Sequence, residues 1–191
     1  SAKDFVTRKW HRFPVQNRGG WREHMPWRYD PADPARFPAD FAARAEPLAA
    51  RSEPLFLGFN GPFWQMREWL GFERLCIAFA DEPAWIEEMV EFWTAYILQM
   101  LERILAVTSI DHVQVNEDMA YKLHSMISPR MARRFLLPAW RAWIDAIKTR
   151  CPWAVVTVDS DGYIGELIPV YIDAGFDGTW PVEVAAGNDI A

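Results

Sequence analysis

Cysteine is scarce in this 191-residue chain, which contains only Cys76 and Cys151. The two form no C-x-x-C pair, so we expect neither a disulfide framework nor a thiolate zinc site, and a cytoplasmic setting fits best. Long apolar runs are also missing, because a membrane helix needs about 20 apolar residues. The most hydrophobic segment, 85–105, is interrupted by Glu87, Glu88, Glu91, Gln99 and Glu102. We therefore expect no membrane span.

Basic charge is in short supply as well. The chain has 20 Lys and Arg against 26 Asp and Glu, which gives a net charge of −6 at pH 7. No basic stripe is present, and this argues against a nucleic-acid partner. Aromatic residues are plentiful by contrast, with 11 Trp and 12 Phe. They favour a large core or a ring-lined pocket, and we expect a small-molecule substrate.

Residues 1–53 are irregular and punctuated by proline, as in the segment 30–34. We predict short helices near Gly20–Tyr29 and Ala39–Ala50. The segment lacks the pattern of a repeated unit, and we interpret it as an irregular, helical covering segment.

From residue 54 onward, apolar strands alternate with amphipathic helices. Strands are predicted at 54–59, 112–116, 154–158 and 178–181. Helices are predicted at 63–70 and 73–80 with a break at Gly71, at 82–106 with Asp81 as its cap, from Ser128-Pro129 to Arg150 in two pieces divided at Pro138, and at 164–174 before Gly175. This alternation predicts a parallel sheet with strands adjacent in chain order.

Four strands cannot close a barrel of eight. The sequence therefore predicts an α/β fold in which residues 54–191 form the central βα units of a partial (β/α)8 TIM-type barrel. On this interpretation the chain is truncated at both ends and is a piece of a longer protein. The alternative is a complete, open four-stranded α/β sheet.

Carboxylates follow three of the four predicted strands: Glu117 and Asp118, then Asp159 and Asp161, then Glu183. In a parallel α/β fold the strand C-terminal ends converge on the active-site face. Clustered acids raise one another's pKa and can divide proton donor and acceptor roles. We therefore predict a carboxylate-rich site, the alternative being that these acids are only turn and cap residues.

A second candidate region runs from Asn60 to Arg67, where Gly58 and Gly61 permit close backbone approach. The alternative is a strand-to-helix turn with packing aromatics. Neither a G-x-G-x-x-G nor a Walker pattern is present, so a phosphate loop is disfavoured. His124 follows a strand end and is a better candidate than His112, which lies within a strand. The predicted substrate-binding residues are Asn60, Trp64, Arg67, Tyr121, His124 and Glu183.

Several of these motifs resemble those of the uroporphyrinogen decarboxylase superfamily. Residues 58–64, which read GFNGPFW, resemble its G-F-x-G-x-P-W element. Its acidic strand end and following helix are similar to 116–120, 127–129 and 135–138, and its next two strands to 159–164 and 174–178. The resemblance covers roughly residues 54–191.

The resemblance implies a (β/α)8 barrel with its active site at the strand C-terminal ends. Members include tetrapyrrole decarboxylases and zinc-dependent methyltransferases that work with corrinoid proteins. The methyltransferases have a zinc-binding His-x-Cys pair where this chain has Asp159-Ser160-Asp161, and two carboxylates suit a hard cation or no metal. The decarboxylases have a serine at the position of Asp118 and a tyrosine at that of Trp69. The chain thus resembles a divergent member.

The leading hypothesis is methyl or one-carbon transfer on a small polar substrate, with a corrinoid carried by a partner protein. The predicted catalytic residues are Glu117, Asp118 and Asp159. Glu117 or Asp118 would be the acid or base, while Asp159 and Asp161 would bind a divalent metal or substrate hydroxyls. The alternatives are uroporphyrinogen decarboxylation and a non-catalytic ligand-binding barrel.

Overall fold

A single parallel sheet organises the computed structural model, which describes residues 12–189. Its strands are β1 (Phe56–Asn60), β2 (His112–Asn116), β3 (Val155–Asp159) and β4 (Gly178–Trp180), and neighbours in the sheet are neighbours in the chain. The predicted parallel α/β arrangement and strand order are thereby confirmed. Residues 1–11 of the predicted covering segment, and 190–191 at the other end, lie outside the described residues.

Eight α-helices accompany the sheet within the described residues. They are α1 (Arg18–Arg28), α2 (Phe41–Ala45), α3 (Pro62–Leu70), α4 (Phe72–Asp81), α5 (Pro83–Leu105), α6 (Pro129–Met131), α7 (Leu137–Arg150) and α8 (Ile168–Ala174). A π-helical turn at Ala132–Leu136 joins α6 to α7. Between residues 12 and 189, no helix combines the length and apolar character that crossing a bilayer requires.

Several predicted helix boundaries are confirmed by local geometry. Ser128 caps α6, its side chain accepting a hydrogen bond from Met131 N at 3.2 Å. Gly71 separates α3 from α4 with φ 80°, and Gly175 ends α8 with φ 96°. Both glycines occupy the left-handed region, where a Cβ is disfavoured, so each is suited to stopping a helix. Pro138 lies at the start of α7 directly after the π-helical turn, so the hydrogen-bond pattern changes beside Pro138 but the helical stretch does not break there as predicted.

Other boundaries were predicted wrongly. Asp81 is the last residue of α4 and does not cap α5, whose N-cap position is taken by Glu82. The helix predicted from residue 164 begins at Ile168, because residues 164–167 form a turn closed by Leu167 N donating to Ile164 O. The helix predicted over 39–50 is α-helical only in α2. It continues as a 3₁₀ turn at Glu46–Ala50, where Pro47 lacks the N–H that an α-helix would use.

One face of the sheet is covered by helices. Its alternate residues on β2 and β3 are valines, at most 1% exposed: Val113, Val115, Val156 and Val158. The buried stripe of α5 has the predicted four-residue interval: Trp85, Met89, Trp93, Ile97 and Leu101. Each such side chain stabilises the fold by about 1.5–3 kcal/mol when fully buried. This face is the hydrophobic core that fixes the strands.

The opposite face of the sheet is more polar and only partly buried. Register places Gly58, Gln114 and Thr157 side by side across it, and Asn60, Asn116 and Asp159 nearer the strand C-terminal ends. Near the N-terminal ends, Phe56 and Val155 remain 53% and 47% exposed. Side chains alternate between the two faces of a strand. Valines at every second position therefore form the dry face, and the residues between them form the polar face.

The described part of the N-terminal segment packs on the outside of this core. Trp21 of α1 is 3% exposed, and its ring centroid lies 5.4 Å from that of Phe92 and 6.2 Å from that of Trp69. Val15 N also donates to Trp69 O at 3.0 Å. This part of the segment therefore covers α3 and α5.

Candidate active site

A cleft of about 700 Å³ opens at the C-terminal ends of the strands. Its lining consists of Arg67, Asp118, Ala120, Tyr121, Lys122, Met126, Asp161, Gly162, Glu183, Val184, Ala185 and Ala186. The acids among them follow three consecutive strands, β2, β3 and β4. The parallel topology thus brings carboxylates that are far apart in sequence into one cavity.

Asp118 is the most constrained of these acids. Its φ is 38°, which places a residue with a Cβ in the left-handed region, at a cost of about 1–2 kcal/mol. Arg67 Nη1 donates to both the backbone oxygen and Oδ2 of Asp118, each at 3.1 Å. Burial raises the pKa of Asp118, with Arg67 opposing the rise and the charges of Asp161 and Glu183 adding to it. Backbone strain and a shifted pKa coincide at one cleft residue.

Asp159 ends β3 on the polar face and lies next to the cleft rather than in its lining. Gln114 Nε2 donates to Asp159 Oδ2 at 2.5 Å. Burial raises the pKa of Asp159, and the negative charges of Asp161 and Asp118 raise it further, against the hydrogen bond from Gln114. Asp118, Asp159 and Asp161 therefore act electrostatically as one cluster.

Glu117 behaves differently from its neighbour, since its side chain is 0% exposed. Its Oε1 accepts from Trp140 Nε1 at 2.5 Å, and its Oε2 accepts from Trp64 N at 3.1 Å. Burial raises the pKa of Glu117 to about 8, although these donors favour the charged form. Of the two adjacent acids, Asp118 lines the cleft and Glu117 points between α3 and α7.

Glu183 helps to join the loops that follow β3 and β4. Its Oε2 accepts from Gly162 N at 2.8 Å. Asn188, 6% exposed, donates to the backbone oxygens of Gly162 and Glu183 at 2.8 and 3.0 Å and accepts from Ile164 N at 3.0 Å. Gly162 has φ 81°, and a Cβ there would lie 2.7 Å from Tyr121 O. This side of the cleft is therefore hydrogen-bonded to itself and close-packed.

The predicted substrate-binding residues fall into three groups. Arg67, Tyr121 and Glu183 line the cleft, and Tyr121 is 75% exposed at its edge. Trp64 lies behind Arg67, whose guanidinium carbon is 4.8 Å from a Trp64 ring centroid. The other two, Asn60 and His124, are engaged elsewhere: Asn60 Nδ2 donates to Gln65 Oε1 at 3.1 Å, and His124 Nδ1 lies 3.4 Å from Glu166 Oε1.

Some residues of the site were missed in the sequence. Lys122 and Met126 line the cleft, and Gln114 and Asn188 hold its acids and loops. Gln114 could have been found from strand alternation, because it is the polar residue between Val113 and Val115. Nothing in the sequence marked Asn188, whose partners lie across a loop.

A metal ion finds few ligands in this arrangement. Among residues 12–189, no three His, Cys, Asp or Glu side chains are placed to hold one together. Hard cations take six or more oxygen ligands, several of them from the protein in a dedicated site. Metal binding by Asp159 and Asp161 stays a prediction.

Comparison with known proteins adds no relative. No protein-family model matches the chain, and no curated protein matches it. The geometry of the cleft is therefore the basis on which a function can be argued.

Proposed function

We propose that this chain is one side of a uroporphyrinogen-decarboxylase-like (β/α)8 barrel enzyme that transfers a methyl or one-carbon group on a small polar substrate. The observation that carries this proposal is the convergence of Asp118, Asp161 and Glu183, from three successive strand ends, on one cleft that also holds Arg67. Such placement is where parallel α/β enzymes carry their chemistry. The choice of methyl or one-carbon transfer rests on the sequence resemblance.

The difference between the two faces of the sheet supports the proposal of a barrel. A barrel covers the outside of its sheet with helices and fills the inside with side chains from alternate strand positions. Here the valine face is the helix-covered one, while Gln114, Thr157 and Asp159 stand on the other. In the proposed barrel, this polar face lines the interior below the cleft.

The residues at the cleft have different roles in the proposed reaction. Moving a methyl group off a heteroatom requires that a proton reach the leaving atom, and a carboxyl group with a raised pKa is suited to deliver it. Asp118 and Asp159 are such groups. Arg67 has guanidinium N–H groups beyond the one on Asp118 with which to orient the substrate. Asp161 and Glu183 favour hydroxyl or cationic substrate groups.

A corrinoid carried by a partner protein is the methyl carrier that the resemblance implies, and it would supply a nucleophilic metal centre to accept the group. The roles above belong to this chain's own residues: to bind and orient the substrate and to hold a proton at a carboxylate oxygen.

Uroporphyrinogen decarboxylation is the second candidate, because Arg67 and Lys122 could pair with substrate carboxylates in the same cleft. The cluster of acids disfavours it, since a highly anionic tetrapyrrole would be repelled. A non-catalytic ligand-binding barrel is the third. Strained Asp118, with its raised pKa, favours an enzyme over that alternative.

The test uses the full-length protein with cob(I)alamin and a panel of methylated alcohols and amines. Methylcobalamin formation is followed by absorbance, and uroporphyrinogen is incubated in parallel with product analysis. We expect methylcobalamin with one donor class, and a rate that is about 10²–10⁴-fold lower in Asp118→Asn. The matched control is Asp145→Asn, an exposed acid of α7, which should leave the rate unchanged.

Each other outcome contradicts the proposal in a distinct way. Release of CO₂ from uroporphyrinogen would establish the second candidate. Tight binding of a panel compound by a folded protein, with neither methyl transfer nor CO₂ release, would favour the binding barrel. An unchanged rate in Asp118→Asn would remove Asp118 from the mechanism.

A further inference from the structure

The carboxylate of Glu117 holds the beginning of helix α3. Gly61, at the N-cap position of α3, provides no side-chain cap. Glu117 Oε2 takes that place from another part of the chain, accepting from Trp64 N in the first turn. An oxygen acceptor at this position pairs one of the backbone N–H groups that the first turn of a helix leaves without an intrahelical partner. Trp140 of α7 fixes the other oxygen.

The contact between Glu117 and α3 is unusually close. A Cβ on Gly61 would lie 2.1 Å from Glu117 Cδ and 2.2 Å from its Oε1. Only glycine therefore lets the chain turn into α3 directly over this carboxylate. The position of the first turn of α3 is set by the Glu117 side chain.

The next residue, Asp118, is held by a side chain of the same helix, about one turn further along α3. Arg67 follows Trp64 by three residues, so the two lie on neighbouring positions of one helix surface. Arg67 Nη1 bonds both the backbone oxygen and the carboxylate of Asp118. Glu117 and Asp118 thus hold two successive turns of α3. A left-handed aspartate persists only where such surroundings offset its strain.

We propose that Glu117 is a positioning residue that acts through α3 and Arg67 to hold Asp118 in its left-handed conformation, with its carboxylate in the cleft. The inference rests on the proposed function, because it gives Glu117 a role by way of Asp118. It assigns Glu117 no contact with substrate.

A simple helix cap would affect only stability, whereas a positioning residue must also act through Asp118. A double-mutant cycle separates the two roles. Glu117→Gln keeps the shape of the side chain but turns an NH₂ toward one of the two N–H donors. In the full-length protein we expect kcat to fall by about 10- to 100-fold with KM little changed. In the Asp118→Asn background, the same substitution should lower kcat no further.

A milder variant serves if Glu117→Gln does not fold. Trp140→Phe keeps the ring and removes only the donor to Glu117 Oε1, so kcat should fall less, and again only when Asp118 is intact. The control is Trp143→Phe on the same helix, whose Nε1 donates to Thr94 O at 3.1 Å, away from Glu117. It should leave kcat unchanged.

The outcomes distinguish this inference from the function on which it rests. Additive losses from Glu117→Gln and Asp118→Asn would overturn the positioning role and leave the proposed function standing. Undiminished turnover in Asp118→Asn alone would overturn the role of Asp118 in the proposed function.

A second measurement needs no substrate. The intraresidue NOE between the amide and α protons of Asp118 reports the sign of its φ angle, because these two protons lie closer together at positive φ than at negative φ. We expect Glu117→Gln and Trp140→Phe to shift Asp118 toward negative φ, in that order of size, and Trp143→Phe to leave it positive. A φ that stays positive in both of the first two variants would overturn the inference.

Discussion

The two ends of the sheet both carry aspartates, and the protein treats them in opposite ways. At the N-terminal end, Asp111 Oδ2 accepts from Leu55 N at 2.8 Å and from Arg51 Nη2 at 2.6 Å. The hydrogen bond from Leu55 N, followed by that from Arg51, lowers the pKa of Asp111. At the C-terminal end, burial and neighbouring acids raise the pKa of Asp118 and Asp159. Partners, rather than residue type, decide what an acid at a strand end does.

A second acid at the N-terminal end repeats the pattern of Asp111. Asp177 Oδ2 accepts from Val156 N at 2.7 Å and from Lys148 Nζ at 2.8 Å. Each of these acids binds a backbone N–H at the start of a strand together with a cation. The N-terminal acids hold the starts of strands through hydrogen bonds and ion pairs. The C-terminal acids lie close to one another and are available for chemistry.

The largest effect should come from removing a charge at the C-terminal end. Asp159→Asn keeps the shape of the side chain, and if the proposed function holds we expect turnover to fall by about 10²–10⁴-fold with little change in stability. Steady-state kinetics and thermal melting measure the two quantities. Asp111→Asn, at the other end, is the control and should leave turnover intact. Equal turnover in wild type and Asp159→Asn would reduce the cluster to turn and cap residues.

The pH dependence of stability should sharpen the comparison. The pKa of Glu117 is raised from 4.5 to about 8 in the folded protein, so the folded state binds this proton more tightly than the unfolded state. The contribution of Glu117 to the free energy of unfolding is complete below pH 4.5 and is lost as the pH rises through about 8. The free energy of unfolding falls by at most about 1.4 kcal/mol per pH unit over this range. Urea unfolding across a pH series measures this change. In Glu117→Gln the free energy of unfolding should depend less on pH over the same range.

Asp111 should contribute with the opposite sign. Its folded pKa is lowered from 3.8, so its stabilisation is present above that pH and is lost as the pH falls through the folded value. A slope of the same sign at both ends of the pH series would contradict the contrast between the two acids.

The smallest effect is expected from Asp111→Asn at neutral pH. The amide cannot form the charged pair with Arg51, so the melting temperature should fall while turnover is unchanged. Differential scanning calorimetry measures the fall, with Asp145→Asn as the surface control. A melting temperature equal to that of the control would show that Asp111 does not fasten β1.

Much of the fold could be predicted because its determinants are local. Short apolar runs ending in polar turns located the strands, and the right-handed crossover rule gave their order. Gly71 and Gly175 stopped helices for reasons that lie in their own backbones. The start of α5 was mispredicted because Asp81 is a preferred N-cap residue, whereas α4 continues through Asp81 and Glu82 takes the N-cap position without a side-chain cap hydrogen bond.

The site could be predicted only as a set of strand-end acids. Which of Glu117 and Asp118 faces the cleft depends on the positive φ of Asp118, and that angle is accompanied by contacts to Arg67, which is 51 positions away. The bond from Gln114 to Asp159 depends on the register between β2 and β3. Such pairings are non-local, and one sequence read alone does not specify them.

The strands lie in the sheet in the same order as they occur in the chain, and this order affects how the protein can fold during synthesis. Each strand pairs with the strand synthesised just before it, as in Phe56 with His112 and His112 with Val155. No strand in this part of the sheet must wait for a distant partner, so assembly can keep pace with translation at roughly 5–20 residues per second. Asp118, Asp161 and Glu183 then leave the ribosome in the order in which they take their places around the cleft.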